Sequence, residues 1–156
     1  MSGSKKKFDY KVARILHWVT AYLVATNLLS GWRLGAFPLS TKLSLVMLHS
    51  GIGTTIFFLM LFRWWWRKSH RLYASPGSWK RPSILIQWIF YPLLLIQVII
   101  GVVQAAFIDY EVLAFGFINF SAIAPDNETL HSLFLQAHGL TAALLIVLII
   151  IHVVGR

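Results

Sequence analysis

The stretch that decides the fold is His138-Gly-Leu-Thr-Ala-Ala-Leu-Leu-Ile-Val-Leu-Ile-Ile-Ile-His152, an apolar run with a histidine at each end. Fourteen helical residues rise about 21 Å. At a rotation of about 100° per residue, they bring the second ring to within about 40° of the first around the helix axis. Because a bilayer core is about 30 Å thick, the two rings would share one face and lie near opposite edges of the membrane. Ionisable groups at such depths are costly and are functional candidates, and neutral imidazole is a common iron ligand. The stretch therefore predicts a membrane helix that supplies one ligand to each of two metal centres.

The composition of the chain is that of a membrane protein. It is 58% hydrophobic and 12% charged, with a mean hydropathy of +0.71, whereas a soluble domain carries about twice that charged fraction. The apolar stretches long enough to span a bilayer are 12–32, 43–66, 83–106 and 131–154. The first is too long to be the apolar region of a signal peptide. We expect an all-α membrane protein, with residues 1–156 forming a single four-transmembrane-helix bundle behind a polar, mobile opening segment.

The basic residues that give the chain its net charge of +9 lie mostly on one predicted side of the membrane. Of the 14 basic residues, only Arg33 and Lys42 fall on one predicted side of the membrane, and the others flank the opposite ends of the spans. Four of the five acidic residues share the side of Arg33 and Lys42, namely Asp109, Glu111, Asp126 and Glu128. The positive-inside rule then places both termini in the cytoplasm. The basic excess indicates contact with anionic lipid and not with nucleic acid.

The chain contains no cysteine. Disulfides, thiolate-held iron–sulfur clusters and covalently attached heme are therefore excluded. Any heme would be of the b type, held by side-chain ligands alone.

Four histidines sort into two pairs by their predicted depth. His17 and His152 lie near the inner ends of the first and fourth spans, and His49 and His138 lie near outer ends. Each pair could hold one six-coordinate heme iron between two imidazoles, which suits electron transfer because no coordination site stays open. The alternatives are hydrogen bonding of each histidine to a neighbouring helix, and metal binding without a porphyrin.

Several neighbouring residues could support such cofactors. Gly53 follows His49 closely, and small residues there leave room for a flat macrocycle. Gln97 shares a helix face with Gln104, where it could bond another helix or contact a cofactor or quinone. At the inner interface a quinone headgroup could sit beside Gln87 or Trp88.

Several motifs resemble the bacterial cytochrome b561 family, which includes the cytochrome b subunits of nickel hydrogenases. They are Arg14-Ile-Leu-His17-Trp18, Met47-Leu-His49 with the glycines after it, Leu61-Phe-Arg63, and the spacing from His138 to His152. The histidine spacing and Leu113-Ala-Phe-Gly116 resemble its superoxide oxidase branch. One departure is Gln87, where that branch usually carries histidine.

The resemblance implies a di-heme b cytochrome of the bacterial inner membrane, with His17, His49, His138 and His152 as iron ligands and Arg14 as an inner cofactor contact. It implies oxidation of superoxide outside and reduction of ubiquinone in the membrane. Arg33 and Lys42 would attract the anion or pair with heme propionates. The alternative is an electron-transfer or accessory subunit of a larger respiratory or photosynthetic complex, and a non-redox structural subunit is a third reading.

Overall fold

Four long helices dominate the computed structural model, which describes residues 2–32, 34–70, 72 and 82–155. The helices are α1 (Ser2–Gly31), α2 (Leu39–Ser69), α3 (Pro82–Ala106) and α4 (Glu128–Val154), and a 3₁₀ turn at Leu34–Ala36 separates α1 from α2. Each helix contains a stretch long and apolar enough to cross a membrane, the stretches being Lys7–Gly31, Leu39–Ser69, Leu85–Ala106 and Glu128–Val154. The predicted all-α, four-helix architecture is confirmed.

The helices begin before the apolar runs that predicted them, α1 by ten residues and the others by one to four. α1 starts at Ser2, so the polar opening that we expected to be mobile is helical. Lysine is a good helix former, and no proline or glycine interrupts the segment after Gly3. α4 starts at Glu128 because the Asn127 side chain accepts a hydrogen bond from the Leu130 backbone N–H at 3.0 Å, which caps the first turn. Hydropathy identifies the part of a helix that meets lipid, whereas caps and propensity decide where the helix ends.

The helices pack as a bundle around one apolar layer. α1 packs on α2, α2 on α3, and α3 on α4. Side chains from all four helices meet in a cluster made of Val24, Ile56, Met60, Tyr91, Leu94 and Leu145. Leu145 is 1% exposed and lies halfway along α4 between His138 and His152. The cluster therefore separates the two histidine levels of the bundle.

The connection between α3 and α4 contains a small β-hairpin. β1 (Leu113–Ala114) pairs antiparallel with β2 (Ile118–Asn119), with Ala114 opposite Ile118. Phe115 and Gly116 at the turn have φ of 54° and 78°, the left-handed conformation that right-twisted hairpins require. The hairpin docks on α2, where the Ser50 hydroxyl donates to the Leu113 carbonyl at 2.9 Å.

The outer faces of the helices are apolar and exposed. Large hydrophobic side chains such as Leu29, Tyr22, Leu140 and Val154 are more than two-thirds exposed, as expected for surfaces that contact lipid rather than water. With four spans, the two ends of the chain lie on the same side of the membrane. Arg71, Lys80, Arg81 and Arg156, which contributed to the predicted orientation, lie outside the described residues.

Candidate functional site

The four predicted ligand histidines meet in two pairs inside the bundle. The ring centroids of His49 and His138 lie 6.2 Å apart, and those of His17 and His152 lie 6.5 Å apart. We call these the outer pair and the inner pair, after the sides that the charge distribution predicts. With metal–nitrogen bonds of about 2 Å and ring nitrogens about 1 Å from the centroid, two imidazoles on opposite sides of one metal have centroids roughly 6 Å apart. Both pairs therefore have the spacing of two axial ligands of a single iron.

The Ser30 hydroxyl lies beside one nitrogen of His49. It is 3.0 Å from the Asn27 carbonyl and 3.1 Å from Nδ1 of His49. When the hydroxyl proton points to Asn27, the hydroxyl oxygen accepts from Nδ1, and Nε2 keeps its lone pair. This is the tautomer of a histidine that binds metal through Nε2 while a second group holds the other nitrogen.

His138 has the same tautomer for a different reason. The Gln97 side-chain amide donates to Nε2 of His138 at 3.2 Å and to its backbone carbonyl at 3.1 Å. The Thr141 hydroxyl donates to the Gln97 side-chain carbonyl, which orients the amide. Nδ1 of His138 is buried and has no hydrogen-bond partner among the described residues. An iron at Nε2 would replace the Gln97 contact and use a lone pair that is already unprotonated.

Glycines on neighbouring helices make room for both outer rings. A Cβ atom at Gly31 of α1 would lie 2.8 Å from Cε1 of His49, and one at Gly101 of α3 would lie 2.9 Å from Cε1 of His138. Such distances are well inside van der Waals contact. Each outer imidazole thus lies edge-on against a helix backbone, and any side chain in place of the glycine would displace it.

The inner pair has a cation and an aromatic ring as neighbours. Nη2 of Arg63 lies 3.3 Å from Nδ1 of His17. The Phe90 ring meets the His152 ring edge-on, with centroids 5.7 Å apart. Because guanidinium only donates, Nδ1 of His17 accepts, and the proton of this imidazole is on Nε2. Iron binding at Nε2 would therefore move that proton to Nδ1, which the outer pair does not require.

Each pair offers two imidazoles and no further protein ligand of the usual kinds. Within residues 2–32, 34–70, 72 and 82–155, no three histidine, cysteine, aspartate or glutamate side chains come together as a metal site. Protein-only zinc sites use three or four such ligands. Two opposed imidazoles instead fit a metal whose remaining positions are filled by a macrocycle, as in bis-histidine heme.

The other predicted contacts are spread over both ends of the bundle. Nζ of Lys42 lies over the Tyr110 ring, 4.9 Å from its centroid. Gly53 is buried near the Asn27 side chain, and Arg14 is exposed on α1. Arg33 lies outside the described residues.

The inner end of α3 carries the remaining predicted contacts. Gln87 is half-buried on this helix, and next to it the Trp88 ring packs against Tyr91, with the Arg67 guanidinium 5.8 Å from the Trp88 centroid.

Two further histidines and Gln97 have clear partners. Nδ1 of His131 donates to the Gln104 carbonyl at 3.0 Å, and the His70 ring stacks on Trp66 with centroids 3.9 Å apart. Gln97 bonds α4, so interhelical hydrogen bonding is confirmed for it. Ser30, Gly31 and Arg63 are further neighbours of the paired histidine rings, and no pattern in the sequence marks them as such. Matching depths along adjacent helices could have found Ser30 and Gly31, because both lie at the outer end of α1.

A family model described as prokaryotic cytochrome b561 matches residues 10–155. No curated protein matches the chain.

Proposed function

The chain belongs to the prokaryotic cytochrome b561 family, and from this premise we propose that its two histidine pairs bind two b hemes that carry electrons across the membrane. Membership shows a multi-pass bacterial membrane protein, a b-type cytochrome of electron transfer with a heme cofactor. The count of two hemes and their ligands are our proposal. The observation that carries it is the opposition of two imidazoles, at 6.2 and 6.5 Å between centroids, at two levels of one bundle.

The proposed division of labour follows from the neighbours of each ring. His49 and His138 hold the outer heme, Ser30 lies against Nδ1 of His49, and two glycines leave space for the rings. His17 and His152 hold the inner heme. Each bound heme supplies a one-electron redox couple, and bis-histidine ligation leaves no open position for a gas or substrate. The two levels are about 21 Å apart along α4, separated by the apolar layer around Leu145.

The first test is the pairing of the ligands. The purified protein should contain two hemes per chain with a low-spin spectrum. His17→Ala and His152→Ala should each remove the same heme, and His49→Ala and His138→Ala the other, because each heme needs both of its rings. Depletion of one and the same heme by His17→Ala and His49→Ala would contradict the pairing.

We propose superoxide as the electron donor on the outer side and quinone as the acceptor near the inner pair. Two superoxide anions each give one electron and leave as dioxygen, and one quinone takes two electrons and two protons to become quinol. Lys42 and Arg33 would attract the anion, and Gln87 and Trp88 lie where a quinone headgroup could approach the inner heme. The acidic residues on the outer side oppose this attraction.

Rapid mixing with superoxide tests the donor. In wild type the heme bands should become reduced, and a double Arg33→Gln and Lys42→Gln variant should react more slowly at low salt, with the difference shrinking as salt screens the charges. Equal rates of heme reduction in wild type and variant at low salt would show that Arg33 and Lys42 do not steer the anion. If superoxide does not reduce the wild-type hemes at all, it is not the donor.

A second candidate is an electron-transfer subunit of a larger respiratory or photosynthetic complex. It is supported by the hairpin, which presents the stacked rings of Phe115 and Phe117 on the outer side, with Phe117 76% exposed. Aromatic residues are enriched in protein–protein interfaces, so this surface suits contact with a partner subunit. Co-purification of further subunits from native membranes would favour this candidate over a free-standing oxidoreductase.

A further inference from the structure

Arg63 places a positive charge against the inner pair. Its guanidinium reaches Nδ1 of His17 at 3.3 Å, and Cζ lies 5.6 Å from the centroid of the Tyr91 ring. Arg63 is half-buried inside the bundle. Among the described residues, Asp9 and His70 are an acidic and a basic side chain that lie within 4 Å of each other. No described carboxylate lies this close to Arg63, so none neutralises its charge by direct contact. The inner pair therefore lies next to an uncompensated cation.

The outer pair has neutral neighbours. His49 is bonded by a hydroxyl and His138 by an amide, and the rings rest on glycine backbone. The acidic residues Asp109, Glu111, Asp126 and Glu128 lie in or beside the connection that covers this end of the bundle. The two levels thus differ in local charge, although both are built from two imidazoles.

The charge of Arg63 stays at this level when His17 binds iron. Neutral imidazole is the usual metal ligand, so a bond from Nε2 leaves the His17 proton on Nδ1, and the hydrogen bond from Arg63 is given up. The Tyr91 ring still holds the guanidinium through a cation–π contact. Arg63 would therefore stay beside the inner pair without its hydrogen bond to His17.

A fixed cation favours the reduced form of a nearby heme. Reduction adds one negative charge at the iron, and Coulomb attraction to a cation is strong where the surroundings are poor in water. We infer that Arg63 raises the reduction potential of the heme held by the inner pair above that of the heme held by the outer pair. With hemes bound, one electron would then pass favourably from the heme held by the outer pair, which would be oxidised, to the heme held by the inner pair, which would be reduced. This inference rests on the proposed two-heme function.

A potentiometric titration of the purified holoprotein tests it. The heme bands are assigned with His49→Ala and His152→Ala, each of which leaves one heme. In wild type the inner heme should be reduced first as the applied potential is lowered. In Arg63→Gln its midpoint should shift to lower potential while the outer midpoint moves less, and Arg63→Lys should stay close to wild type because the charge remains.

Arg67→Gln is the matched control. Arg67 lies one turn along α2 and its guanidinium is over Trp88 rather than beside His17, so the loss of an equal charge there should shift the inner midpoint less than Arg63→Gln does. Equal midpoints in wild type, or an outer heme reduced first, would overturn the inference. So would an inner midpoint that stays or rises in Arg63→Gln.

If Arg63→Gln does not retain the inner heme, the wild-type order of the two midpoints decides, and an inner midpoint at or below the outer one overturns the inference. Two low-spin hemes without the expected order would leave the proposed function intact. If the purified protein binds no heme at all, the proposed function itself is wrong.

Discussion

At the scale of single residues, the outer pair depends on two glycines whose lack of a side chain leaves room for its rings. Gly31 and Gly101 belong to different helices, yet each faces the edge of an outer imidazole at nearly the same distance. Glycine inside a helix costs about 0.5–1 kcal/mol relative to alanine. At these two positions the close approach of a ring explains the absence of a side chain.

Gly31→Ala and Gly101→Ala should each weaken retention of the outer heme and leave the inner heme in place. The added Cβ would lie 2.8 or 2.9 Å from the ring, so the ring must move away from its partner in the outer pair or from the glycine helix. Changes beside metal ligands cost about 10–100-fold in affinity, and loss of one heme on dilution would be measured by absorbance.

Gly139→Ala is the control for both glycine variants. Gly139 adjoins His138, but a Cβ there meets nothing within 4 Å, so this variant should keep both hemes and gain slightly in helix stability. Retention of both hemes in Gly31→Ala and Gly101→Ala would show that the outer rings tolerate a side chain at these positions.

At the scale of elements, the hairpin is held to α2 by its turn. The Phe115 ring and backbone lie 3.2–3.4 Å from the position of a Cβ at Gly51, two residues after His49, so the turn covers the helix segment that carries an outer ligand. Phe115 has positive φ, which is uncommon for a bulky residue. The docking on α2 stabilises a conformation that an isolated turn would disfavour.

Gly116→Ala should loosen the hairpin. A side chain in the left-handed region costs about 1–2 kcal/mol, and this corresponds to roughly 5–30-fold faster local opening. Hydrogen exchange of the amides of residues 113–119 would measure it. Gly116→Asn should have a smaller effect, because asparagine tolerates positive φ. Unchanged exchange in Gly116→Ala would mean that the turn does not need glycine.

At the scale of the whole molecule, the charge distribution predicts an orientation. Four spans place both termini on one side, and the basic residues gather on that side in sequence. We expect tags at either terminus to be protected from protease added to intact cells, and to be cleaved once the cells are opened, since the positive-inside rule assigns these ends to the cytoplasm. External cleavage at both ends would invert the topology, and cleavage at one end only would exclude four spans.

Several features follow from the amino-acid sequence alone, because they depend on local periodicity and on depth in the membrane. The number of helices follows from the length of the apolar runs. The grouping of His17 with His152 and of His49 with His138 follows from the distance of each residue from a membrane edge. Both groupings agree with the ring distances in the structure.

Only the tertiary structure decided which groups touch the rings. Ser30 lies nineteen residues before His49, and Gln97 lies forty-one before His138, separations at which periodicity carries no information on contact. Arg63 stands out in the sequence as an interfacial basic residue and as part of the Leu61-Phe-Arg63 motif, but neither feature predicts that its side chain turns inward to His17. Which face of a helix meets which neighbour is settled by packing between helices. For this reason the two histidine pairs could be predicted from the sequence, while the groups that contact the rings and set their surrounding charge could not.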